Sequence, residues 1–274
     1  MLKVFVAAII GETTMSVQQR ARLRHQRDID GHPFDGGVLQ WLVDRELGAE
    51  HVMAYRLTVV PDSTASHAHP GAEEVLYVLE GSGEIRVEDA SHLVGPGQAV
   101  FVPDGADHSY VNTGEIPLVV VGAMAPPIDP ALIRPAVSRL NLTGLPSSSV
   151  EEGAVGPTMM DERRVTPTLM GERSFRVLVN PAVGCRLMTQ FTGVIPTGKA
   201  PLHAHPHEEA VYILAGTGRL WIENDPVGEL HPGSVVFFPI GVRHTLENTG
   251  AEDMKVLGAF SPAGSPEAKL APAR

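Results

Sequence analysis

A chain of 274 residues lies above the length at which one hydrophobic core ordinarily stops growing, so two domains are the first expectation. A formal charge of -11 with only four lysines argues against nucleic acid or an anionic membrane surface as partner, since both demand clustered cations. The single cysteine, Cys185, excludes an internal disulfide and a thiolate-rich metal cluster, and reads as a small buried hydrophobe in a reducing compartment.

In chain order, the opening "MLKVFVAAII" is too short to span a bilayer and has no small-residue cleavage site behind it. Residues 1–30 are therefore read as an N-terminal leader, with Met15 as an alternative start, and the protein as cytoplasmic. Aromatic residues make up only 5% of the chain, while 28 Gly and 23 Pro punctuate short apolar runs. That pattern predicts strands closed by turns rather than long helices.

The first domain, 31–138, contains "HAHPGAEEVLYVLEG" at 67–81. Side chains alternate along a strand, so the H-x-H spacing turns His67 and His69 to one side, where they can share a metal. Glu73 and Glu74 must face opposite ways, and one of them is the carboxylate ligand. Farther on, the turn Pro103-Asp104-Gly105 precedes His108, whose parity places Tyr110 and Asn112 on the same face. Asp129-Pro130 reads as a cap and first-turn proline opening a short helix.

Residues 139–170 are rich in Gly, Pro and Ser and read as a linker. The second domain, 171–274, then repeats the first: His67, His69, Gly97, Pro103, Gly105, His108 and Asn112 recur as His203, His205, Gly233, Pro239, Gly241, His244 and Asn248, each shifted by 136. Ser265-Pro266 repeats the helix signal. The carboxylate candidates here are Glu208 and Glu209. Glu74 and Glu209 stand equally far from the glycines that close their strands, Gly81 and Gly216, and are chosen as the inward pair. Apolar residues on both faces of "VLYVL" and "AVYIL" predict strands covered on both sides.

These spacings resemble the two motifs of the cupin family. G-x5-H-x-H-x3,4-E-x6-G is met in both repeats from the first histidine onward, its leading glycine being absent in the first and displaced to Gly198 in the second. G-x5-P-x-G-x2-H-x3-N is matched at every fixed position from Gly97 to Asn112 and from Gly233 to Asn248. The resemblance implies an all-β chain of two tandem cupin barrels, double-stranded β-helices of jelly-roll type, with short terminal helices. It implies one divalent metal per barrel, held by His67, His69, Glu74 and His108 in the first and by His203, His205, Glu209 and His244 in the second. Self-association into a homo-oligomer is a further implication.

Three imidazoles and one carboxylate suit borderline divalent ions such as Mn, Fe, Co, Ni or Zn without choosing among them, and Fe or Mn is the favoured expectation. Such a centre attracts a small anion with oxygen donors. Because open sites of this kind suit dioxygen chemistry, the leading expectation is a non-haem dioxygenase acting on an oxygen-rich or phenolic anion, with dioxygen as co-substrate. The alternatives are a redox-neutral Mn, Ni or Zn decarboxylase, isomerase or aminohydrolase, and a non-catalytic metabolite-binding protein. Tyr110 is the one candidate catalytic residue, a packing role being equally open. His207 is left between a role behind the ligands and an exposed one. Lys199 is read as a solvated loop residue, Arg56, Arg186 and Gln190 as structural, and Trp41 and Trp221 as core.

Overall fold

The computed structural model describes residues 22–130 and 159–270, so Met15 and most of the predicted linker lie outside the described residues. Each repeat builds a seven-stranded and a four-stranded antiparallel sheet. In the first repeat the large sheet is centred on Glu73–Glu80 and Leu118–Ala125, and the small one on His108–Asn112 and Gly83–Val87. In the second, Glu208–Ala215 and Met254–Ser261 take the same places in the large sheet, and His244–Asn248 and Gly218–Ile222 in the small one. Alternate side chains from both sheets meet in one interior: Leu76 and Val78 pack with Ile85, Val87 and Tyr110 in the first barrel, and Val211 and Ile213 with Leu220 and Leu246 in the second. No helix of the described residues is long and apolar enough to cross a membrane.

The edges of the two large sheets are exchanged. Arg22–His25, assigned from sequence to a leader, pairs with Ser234–Phe238 of the second repeat. Met159–Asp161, assigned to the linker, pairs with Gln98–Val102 of the first. Each repeat thus covers a free strand edge of the other, a contact that local composition cannot announce.

The outer faces of the large sheets meet in a shared core. Val75, Tyr77, Phe101 and Val121 of the first repeat pack with Ala210, Tyr212, Phe237 and Leu257 of the second, and Cys185 lies buried among them. This double coverage is the reason "VLYVL" and "AVYIL" are apolar on both faces.

Helical structure is slighter than predicted. Among the described residues it consists of single 3-10 turns, including the equivalent pair Arg45–Leu47 and Pro181–Val183. Ser265-Pro266 forms only a turn, closed by the Ala268 amide on the Ser265 carbonyl at 3.0 Å. The chain then leaves helical geometry because Leu270 N donates to the Ala204 carbonyl at 2.8 Å, tying this segment to the strand region that carries His203 and His205. Of the segment opened by Asp129-Pro130, everything past residue 130 lies outside the described residues.

Candidate metal centres

In the first barrel, His67 ends one strand and His108 begins its antiparallel neighbour, and the two are register partners. His69 lies two residues beyond His67, and Glu74 comes from the facing sheet. All four are buried, none more than 3% exposed. Nε2 of His69 and Nε2 of His108 each lie 2.9 Å from the same Glu74 oxygen, and Nε2 of His67 and His108 are 2.9 Å apart. Ligands bound to one ion at about 2.1 Å stand roughly 3 Å from their neighbours, so this set fits a divalent transition metal. His108 Nδ1 meets the Ala106 carbonyl at 3.0 Å, which aims its Nε2 inward.

Burial opposes charge on Glu74, yet His108 and His69 hold its carboxyl well below the usual carboxylate range. Burial also lowers His69, but Glu74 overcomes this and raises it, whereas burial and then His108 push His67 well down. The other Glu74 oxygen accepts from Tyr55, whose hydroxyl also lies 2.8 Å from that of Tyr110. Tyr110, the candidate catalytic residue, is fully buried, with its hydroxyl tied to Tyr55 beside the donor set.

In the second barrel, donor atoms of His203, His205 and His244 lie within 4.8 Å of one another. Glu209 falls in an overlapping group with His205 and His207, its carboxylate 3.7 Å from His205 Nε2. His207 is the residue that sequence reasoning left unplaced. It is buried and stacked between His205, at 4.7 Å between ring centroids, and Phe260, at 4.0 Å, with Nε2 unpartnered. The signal was its place just before the strand Glu208–Ala215, two residues from Glu209.

His205 Nδ1 meets the Ala268 carbonyl at 2.7 Å, and His244 Nδ1 meets that of Val242 at 2.8 Å. The Ser265–Leu270 segment thereby orients one of the ring donors. Burial lowers His203 to about 4 and His207 to about 3 and carries His244 well below the ordinary imidazole range. Glu209 is raised by burial, with His205 opposing.

Comparison with known proteins follows the same division of the chain. The family described as "Cupin domain" matches residues 55–124 and again 191–260, half of the chain in all. The chain belongs to the cupin family. Its duplicated matches make it a bicupin. It is 25% identical over 146 residues to the tetracenomycin polyketide synthase protein TcmJ of Streptomyces glaucescens, covering 53% of this chain and 95% of that relative. It is 31% identical over 111 residues to Protein SchB of Streptomyces halstedii, covering 40% of this chain and 80% of that relative. Among solved structures, Bacillus subtilis oxalate decarboxylase, studied for its Mn(II) centres, superposes with a TM-score of 0.72 at 18% identity, over 91% of this chain and 79% of that one.

The two cupin barrels differ in how they are filled. Tyr55, Leu57 and Tyr110 of the first are replaced by Phe191, Gly193 and Leu246 in the second. In both, the aromatic ring lies flat on a neighbouring glycine, Gly122 or Gly258, where any Cβ would come within 2.4 Å of it. In the first barrel Tyr55, Leu57 and Tyr110 are fully buried beside the donors. In the second, the lost leucine and the shorter side chain at 246 leave a cavity of about 80 Å³, lined by Phe191, Phe238, Leu246, Val256 and the donors His203, His205, Glu209 and His244.

Two cations, Arg173 and Lys269, line the same cavity. Arg56 bonds Gln40 and Thr58 and Arg186 reaches Glu73, while Gln190 is buried between the repeats, so these three are structural. Trp41 packs at the margin of the first core. Trp221, expected in the core, is only half-buried: its indole donates to Glu247 at 2.7 Å, and the Lys199 ammonium stands 3.2 Å from its ring centroid.

The outward glutamates have a function of their own. Glu208 accepts from the amides of Glu50 at 3.0 Å, His51 at 2.7 Å and Val52 at 3.3 Å, across the domain interface. Reciprocally, Glu73 accepts from the Leu187 amide at 2.8 Å. Each ligand-bearing strand is thus clamped by the other repeat through the residue beside its metal-facing carboxylate.

Proposed function

We propose that this bicupin is a metal-dependent enzyme whose reacting centre is in the second barrel, and that it performs redox-neutral chemistry, decarboxylation foremost, on a small carboxylic acid. The observation that carries this reading is the contrast between a donor set opening on a cavity in the second barrel and one sealed by Tyr55 and Tyr110 in the first. A divalent ion at His203, His205, Glu209 and His244 supplies positive charge that binds a carboxylate and takes up charge developing beside it.

The chain's own groups do the rest. Phe191, Phe238 and Val256 exclude water, Arg173 and Lys269 draw an anion inward, and the neutral imidazoles of His203 and His244 keep their donor pairs available. The similarity to oxalate decarboxylase and to a polyketide synthase protein supports carbon-skeleton chemistry. Dioxygenation, the leading expectation from the donor set alone, gains no support from these comparisons.

The test is a panel of small 2-oxo and dicarboxylic acids offered to Mn-loaded protein with carbon dioxide and dissolved oxygen followed together. The reading expects carbon dioxide release without net oxygen consumption, abolished by His244→Ala and retained in His108→Ala. Stoichiometric oxygen uptake would restore the dioxygenase reading.

A further inference from the structure

The cavity of the second barrel adjoins a surface hollow of about 430 Å³, and four residues line both: Met170, Arg173, His203 and Lys269. They form the rim between the donor set and solvent. The hollow also borders Lys199 and one acid, Glu172. In a chain of charge -11 with four lysines, two lysines and an arginine gathered at one opening mark a local reversal of sign.

Arg173 is built into this place. Its Nη2 donates to the Leu246 carbonyl at 2.7 Å, which fixes the plane of a guanidinium that offers N–H groups in pairs to a carboxylate. Burial disfavours its charge, so an anion beside it is welcome. In the first barrel the residue equivalent to Arg173 is Gly37, where a Cβ would come within 2.1 Å of the Thr58 carbonyl oxygen. Arg173 is therefore particular to the barrel that has the cavity.

Resting on the assignment of the reaction to the second barrel, we propose that Arg173 and Lys269 form an anion subsite at the rim, and that the substrate is a short acid with two carboxylates. One carboxylate meets the donor set of His203, His205 and His244, the other meets the rim, and the apolar wall of Phe191, Phe238 and Val256 contacts the carbons between.

The experiment is calorimetric titration of Mn-loaded protein with succinate and with butyrate, acids of equal carbon number that differ in the second carboxylate. Succinate is expected to bind about tenfold more tightly than butyrate, since one charge-assisted pair distinguishes them. Lys269→Gln, an exposed change, is expected to reduce that ratio to roughly threefold and Arg173→Gln to abolish it, the loss falling mainly on succinate in both.

Retention of metal by elemental analysis shows that Arg173→Gln keeps the barrel intact. Equal binding of the two acids to the wild type, or a preference that survives both substitutions, overturns the subsite. A preference that needs Arg173 and Lys269 but is untouched by His244→Ala and by metal removal upholds the subsite and overturns the assignment of the reaction. If neither acid binds, both fall.

Discussion

Replacing Glu208 by alanine should damage the protein far more than replacing Glu73, although both are buried, outward-facing neighbours of a metal-facing glutamate. Glu208 receives three backbone amides, with its shortest bond 2.7 Å, and is 4% exposed. A hydrogen bond to a charged group contributes about 1.5–3 kcal/mol, and partial rehydration of the vacated amides returns some of it, leaving a loss of about 3–5 kcal/mol. Glu73 receives one amide, and its second partner, Arg186 at 3.4 Å, is 80% exposed and contributes little, so its loss is about 1–2 kcal/mol.

At roughly 2–4 °C per kcal/mol for a chain of this size, Glu208→Ala should lower Tm by about 10 °C and Glu73→Ala by about 4 °C. Calorimetric scans of the metal-free protein measure both. One transition is expected, because the repeats share a core. A Glu73→Ala shift equal to or larger than that of Glu208→Ala, or two transitions of which only one moves, would refute the clamp.

Other consequences follow from the same contacts. Tyr55→Phe removes a hydroxyl bonded to both Glu74 and Tyr110 and should cost about 1–2 kcal/mol in urea unfolding while leaving turnover at the second barrel unchanged. Leu246→Tyr restores the first barrel's residue in the second and should fill the cavity, lowering succinate affinity about tenfold or more without loss of metal by elemental analysis.

The metal-free protein should also lose stability as pH falls from about 6.5 toward 4. His203, at about 4, and His207, at about 3, together with the lowered His67 and His244, stay neutral in the fold while the unfolded chain takes up protons. Two groups do not cancel this. Glu209, raised in the fold, acts the opposite way as one group against four, and His69, also raised, contributes a constant term below 6.5. Urea midpoints against pH test the sign.

Much of this was legible in the residues. Strand parity and the shift of 136 placed His67, His69, Glu74 and His108 at one point, because imidazoles and a carboxylate buried together have few other reasons to converge. The choice of Glu74 and Glu209 over Glu73 and Glu208 agrees with the burial of the first pair toward the barrel interiors and the clamping of the second pair between repeats.

What the sequence could not supply was long-range. The exchange of Arg22–His25 and Met159–Asp161 depends on which sheet edges lie free, and segments of four and three residues carry no address. The cavity depends on Leu57 becoming Gly193 and Tyr110 becoming Leu246, changes whose consequence appears only when they face one interior. Trp221, expected in the core, lies on a half-open strand where a lysine covers it.

The difference between an open second barrel and a closed first one is measurable without a known substrate. Solvent water proton relaxation of Mn-loaded protein reports exchange of water at each ion. His244→Ala, which removes the second centre, should abolish most of the relaxation enhancement, and His108→Ala should leave most of it. An equal loss in the two variants, or the larger loss in His108→Ala, would contradict the assignment of the reacting centre to the second barrel.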